Sequence, residues 1–129
     1  MVRSILSVLA GLIVIIVASF GIEAAANPLL MRLGALPSQG PMNFPAWLFT
    51  FSYTCLCVIA GGYVTARLAA HHPVRHALIL GLLQSALTVP AMLAFPEKAH
   101  LWGWILSMIV VIPAAWCGGW IFARTQRRK

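Results

Sequence analysis

Gly61-Gly62-Tyr63-Val64-Thr65-Ala66-Arg67 closes one long uncharged apolar run, and Gly118-Gly119-Trp120-Ile121-Phe122-Ala123-Arg124 closes another. Both copies read Gly-Gly-aromatic-β-branched-x-Ala-Arg. In lipid no hydrophobic force draws one helix to another, so small residues that let backbones touch supply the packing. The arginine that follows ends the run with a cation suited to the membrane–water boundary. Two such segments in one chain point to a small polytopic membrane protein.

The composition agrees. Of 129 residues, 61% are hydrophobic and 9% charged, with a mean hydropathy of +0.92. Soluble domains run about 45–50% apolar and about 25% charged. The polar residues here cannot cover a water-facing surface, which excludes a soluble domain. A net charge of +7 and a pI near 10.4 raise the question of nucleic acid. The cations lie between apolar runs rather than on one soluble face, however, so membrane topology accounts for them and no nucleic-acid partner is expected. Cys55, Cys57 and Cys117 fall inside apolar runs without a C-x-x-C pair, which argues against a disulfide framework.

Outward from the two motifs, the expected architecture is a single all-α membrane domain. It is a four-helix bundle with spans near 4–22, 46–66, 76–95 and 101–123, an outer loop over 25–45 and a basic tail over 124–129. Ala24-Ala25-Ala26 also satisfies the small-residue rule for signal-peptide cleavage. The apolar stretch before it exceeds the usual hydrophobic region of such signals, and Glu23 sits close to the cut, so a retained first span is the preferred reading. Asn27-Pro28 reads as the start of a short separate helix lying at the interface, with Gly34 as its stop. Pro90 and Pro113 are candidate kinks. Pro96-Glu97-Lys98 reads as a turn opening the fourth helix. Trp47, Trp102 and Trp104 fit an outer aromatic belt and Trp120 an inner one.

With the N-terminus inside, the cytoplasmic side holds Arg3, Arg67, Arg75, Arg124, Arg127, Arg128 and Lys129, and the outer side only Arg32 and Lys98. Arg67, Arg75 and Arg124 are the topology anchors, and both termini are expected in the cytoplasm. The two motifs close spans that run in the same direction. Hairpin one (spans one and two) and hairpin two (spans three and four) would then be parallel repeats about an axis along the membrane normal.

Small residues at four-residue spacing mark the packing faces: Gly61, Gly62, Gly81, Ser85, Gly118 and Gly119. Because there are several such faces, a homo-oligomer or another membrane protein joins the lipid bilayer among the candidate partners. Glu23 is the only acid near a span. It reads as an anchor at the outer edge within reach of Arg32, or as a functional carboxyl. Gln84, Ser85 and Thr88 form a polar stripe with Gly81 that either bonds across helices or, with Glu23, lines a transport path. Thr54 and Tyr53 are placed to face it. His72 and His76 have metal-compatible spacing but no third ligand nearby, so neither metal nor cofactor is expected. No nucleophile–base pair, carboxylate pair or phosphate loop is present, which argues against an enzyme.

Three stretches, Gly61 to Ala69, His76-Ala77-Leu78-Ile79-Leu80-Gly81 and Pro113-Ala114-Ala115-Trp116-Cys117-Gly118-Gly119, resemble a group of small bacterial inner-membrane proteins with four spans and no assigned activity. The resemblance is loose over span one and better over 58–123. It implies architecture and a bacterial inner-membrane location, and it transfers no catalytic residue. The chain is also similar in size to small multidrug resistance transporters, which carry a mid-span glutamate in their first helix. Here Glu23 reads as an edge residue, and the rest of the sequence does not match. The sequence thus implies a non-enzymatic membrane protein, an accessory subunit or oligomer, with a small transporter as the alternative. Topology reporters fused after Arg75 and after Lys129 are expected to give the same cytoplasmic signal; opposite signals would contradict the four-span reading.

Overall fold

A computed structural model describes residues 2–34, 43–69 and 71–128. Four α-helices, α1 (Val2–Arg32), α2 (Phe44–Leu68), α3 (Pro73–Ala94) and α4 (Leu101–Arg127), form an all-α bundle, with a 3-10 turn at Pro96–Lys98 before α4. Even the shortest helix, at 22 residues, is long and apolar enough to cross a bilayer core that needs about 20. The chain is a multi-pass integral membrane protein. Two helix starts are set by proline in the first turn, Pro45 after Asn43 and Pro73 after His72, where the missing N–H costs nothing.

The bundle is small inside and large outside. Ala66, Ala77 and Ala115 are fully buried, whereas Val17, Phe20, Leu56, Leu93 and Ile109 are each more than 60% exposed. In water that arrangement would be a large apolar patch inviting aggregation; facing acyl chains it costs nothing. Small residues face inward because backbone contact, not side-chain bulk, closes the seams.

The paired glycines divide this task. A Cβ on Gly62 would lie 2.5 Å from the Ala115 carbonyl oxygen, and one on Gly118 would collide with the Ile59 carbonyl, so both glycines close the α2–α4 seam. Their neighbours turn elsewhere. Gly61 meets Ile15 and the Gly11 carbonyl of α1, and Gly119 meets Ala77 of α3 at 2.6 Å. Gly81 of α3 packs on Ile112 of α4 at 3.1 Å, and the Ser85 hydroxyl donates to the Met108 carbonyl at 3.3 Å across the same seam.

This packing departs from the two-fold relation suggested by the repeat. Across the α2–α4 seam Gly62 plays the part of Gly118, one residue out of register with the sequence motif. A two-fold exchanging the hairpins would make α2–α3 and α1–α4 contacts equivalent, yet α3 packs on α2 while α1 barely touches α4. The hairpins are alike in sequence and unlike in their neighbours.

Several boundaries also move. No separate helix begins at Asn27: α1 runs unbroken through Pro28 to Arg32, well into the expected 25–45 loop. Pro28 forfeits one bond, to the Ala24 carbonyl, and strong helix formers on both sides carry the helix past it. Gly34, at φ +66, lies just beyond the end, where a left-handed residue is expected. Most of the remaining loop, 35–42, lies outside the described residues. Pro90 and Pro113 sit within continuous helices. The turn at Pro96–Lys98 is separate from α4, since Ala99 and His100 are extended. Helix α3 starts at Pro73, ahead of 76, and α4 continues through most of the expected tail.

Adding bulk at these contacts should separate helices. Gly62→Leu and Gly118→Leu are expected to destabilise the bundle by about 1–3 kcal/mol or more, read from thermal or denaturant unfolding in detergent. Gly21→Leu, with no atom within 4 Å of its would-be Cβ, should change little.

Candidate functional site

Helices α1 and α2 run antiparallel in a fixed register. Gly11 lies opposite Thr65, Ile15 opposite Gly61 and Glu23 opposite Tyr53, each step along α1 matched by an equal step back along α2. The glycine contacts therefore set the depth of Glu23. Tyr53 is six residues from Trp47 and fourteen from Arg67, or about 9 Å and about 21 Å along a helix rising 1.5 Å per residue. Glu23 thus lies partway along the bundle and not at a helix end. The sequence reading ends the first span at Ile22, whereas α1 continues for more than two turns past Glu23. Arg32 is too far along the same helix to reach back. The Tyr53 hydroxyl instead donates to Glu23 Oε1 at 3.2 Å, and among the described residues no cation pairs with this carboxylate.

Glu23 lines a cavity of about 280 Å³ between α2, α3 and α4. The cavity reaches from Val111 and Gln84 at mid-bundle to Ala99 in the segment before α4. Its wall includes Glu23, Gln84 and Thr88, three residues separated by up to 65 positions in sequence, together with Thr50, Thr54 and Ser107. Trp47, Phe51 and Leu87 supply much of its apolar surface. Polar side chains at membrane depth are expensive unless satisfied or lining a polar space. Two atoms here are buried without a hydrogen-bond partner, Gln84 Oε1 and Trp104 Nε1, and both residues line this cavity. A buried polar atom left unmatched costs about 1–3 kcal/mol.

The hydroxyls on the wall are directional. Thr88 donates to the Gln84 carbonyl at 2.9 Å and Ser107 to the Gly103 carbonyl at 2.8 Å, so each proton is used within its own helix and the oxygen keeps its lone pairs. Ser85, by contrast, is a packing residue: its hydroxyl bridges to α4 and it is absent from the cavity wall.

Ser107, Thr50 and the inward role of Trp104 escape a reading by composition, which assigns Trp104 to the aromatic belt. A signal for them does exist. Thr50/Thr54, Gln84/Thr88 and Gly103/Ser107 are each four apart, and that spacing places each pair on one helix face. Trp47 combines both roles, stacking on Phe51 and meeting Trp102 at a tilt, at centroid distances of 5.0 and 4.8 Å, while also lining the cavity.

Toward the opposite end the seams are tightly packed, and open clefts lie at the helix ends, between residues 73–75 and 122–127 and along 120–128. Val58, Leu80 and Ala115 there are fully buried. Arg67, Arg75 and Arg124 are exposed at that end, with the Arg124 guanidinium 5.0 Å from the Trp120 ring centre. His76 engages the His72 carbonyl at 3.1 Å, and among the described residues no three His, Cys, Asp or Glu side chains converge as a metal site. Cys55, Cys57 and Cys117 are free thiols.

Fold and site together define a multi-pass helical bundle with a mostly apolar cavity, carrying a few polar side chains, in one half of its length. No family model, curated protein or solved structure matches the chain.

The cavity can be tested through its cysteine. In single-cysteine variants, a small water-soluble thiosulfonate should modify Cys55, which lines the cavity, much faster than Cys57, which is buried in the core. Equal protection of both would mean that the cavity does not admit solutes.

Proposed function

We propose that this chain is a non-enzymatic carrier of a small solute in a bacterial inner membrane, with both termini in the cytoplasm. The observation that supports this reading is the convergence of Glu23 from α1 with Gln84 and Thr88 from α3 on one cavity with unmatched polar atoms. An orphaned hydroxyl, that of Thr65, also sits in the packed α1–α2 seam, so it is the carboxylate of Glu23 sharing a cavity with unmatched polar atoms that favours a ligand there. The cavity ends at the tightly packed α2–α4 and α3–α4 seams, so passage to the other side requires those seams to part. That favours alternating exposure over an open pore.

The alternative, an accessory subunit or homo-oligomer, draws no support from the glycines, because their faces are occupied within the chain. Orientation rests on the excess of Arg and Lys at the Arg67 end. In sealed proteoliposomes, a panel of small amines, amino acids and monovalent cations is expected to include at least one solute whose flux Glu23→Gln abolishes while helicity is retained. Permeability equal to that of protein-free vesicles for the whole panel contradicts a carrier.

A further inference from the structure

We propose that the cavity selects a primary ammonium carried on a small apolar body, a substrate class that rests on the solute-binding reading above. Three features of the wall lead to it. First, among the lining residues the one with a formal charge is Glu23, and no described cation pairs with it. A ligand that brings a positive charge supplies a countercharge to this carboxylate, and the interaction gains strength where water is sparse. Second, several oxygens on the cavity wall, and that of Tyr53 beside the carboxylate, are available as acceptors. Thr88 and Ser107 have committed their protons to backbone carbonyls, Tyr53 has committed its proton to Glu23, and Gln84 Oε1 has no donor at all. These oxygens take N–H donors, and the unmatched Trp104 indole N–H is the donor on the same wall that lies open to an acceptor. A primary ammonium has three donors on a compact head; a quaternary ammonium has none and presents methyl groups to the same lone pairs. Third, Phe51, Leu87, Ala91 and Val111 give the cavity an apolar side that suits a hydrocarbon or aromatic body. The volume of about 280 Å³ admits one ring with a short chain.

The experiment uses the full chain in nanodiscs of neutral lipid and three probes that share one body: protonated phenethylamine, its N,N,N-trimethyl derivative and 2-phenylethanol. Binding is read by titration calorimetry. The primary ammonium is expected to bind about tenfold more tightly than either of the others, the margin of one charge-assisted hydrogen bond. Glu23→Gln and, independently, Gln84→Leu should each shrink that preference while leaving weak binding of 2-phenylethanol in place. Either variant suffices if the other does not fold. If the trimethyl probe matches phenethylamine, or both folded variants keep the full preference, the ammonium inference is overturned and the solute-binding reading stands. If no probe binds the folded wild-type protein, the solute-binding reading fails and takes the inference with it.

Discussion

Direct backbone contact between helices is the constraint on which this structure depends. Lipid offers apolar groups as good a solvent as the protein interior does, so burying leucine gains little and close van der Waals fit must hold the helices together. At the α2–α4 seam Gly62 and Gly118 each touch a carbonyl of the other helix. At the α1–α2 seam Gly11 and Gly61 do the same work across an antiparallel pair. Such contacts admit few alternatives, because sliding by one residue replaces glycine with a side chain that cannot fit.

Register has a chemical consequence. Once Gly61 is set against Ile15, the geometry of straight antiparallel helices sets Glu23 against Tyr53, about two turns from that contact. Packing in the arginine-rich half thereby places a carboxylate in the other half, beside the cavity. The two halves have opposite characters. One packs tightly around fully buried Val58, Leu80 and Ala115; the other leaves room between α2, α3 and α4 and lines it with hydroxyls, an amide and an indole nitrogen.

Much of this was legible in the sequence, for reasons that can be stated. Span number follows from four uncharged runs, and the packing glycines follow from spacing, because a four-residue interval fixes a helix face whatever the tertiary structure. Gln84 and Thr88 were recognisable by the same rule. The depth of Glu23 was not, because hydropathy sees the end of an apolar run at Ile22 and cannot see that α1 continues to Arg32. Nor could the sequence show that the glycines in each pair serve different neighbours. Which neighbour a glycine meets depends on how the hairpins dock, and the likeness of the two motifs suggested a symmetry that docking does not keep.

The most direct test concerns Glu23 itself. The chain has two glutamates, Glu23 and Glu97, and two tyrosines, Tyr53 and Tyr63, so labelling these two residue types with carbon-13 gives a sparse solid-state NMR spectrum in bilayers. The register described here predicts one short-range cross-peak between a glutamate carboxyl and a tyrosine ring, assigned to Glu23 and Tyr53 by its loss in Glu23→Gln. A spectrum in which the Glu23 carboxyl contacts only headgroup and water, with no tyrosine correlation, would contradict the account.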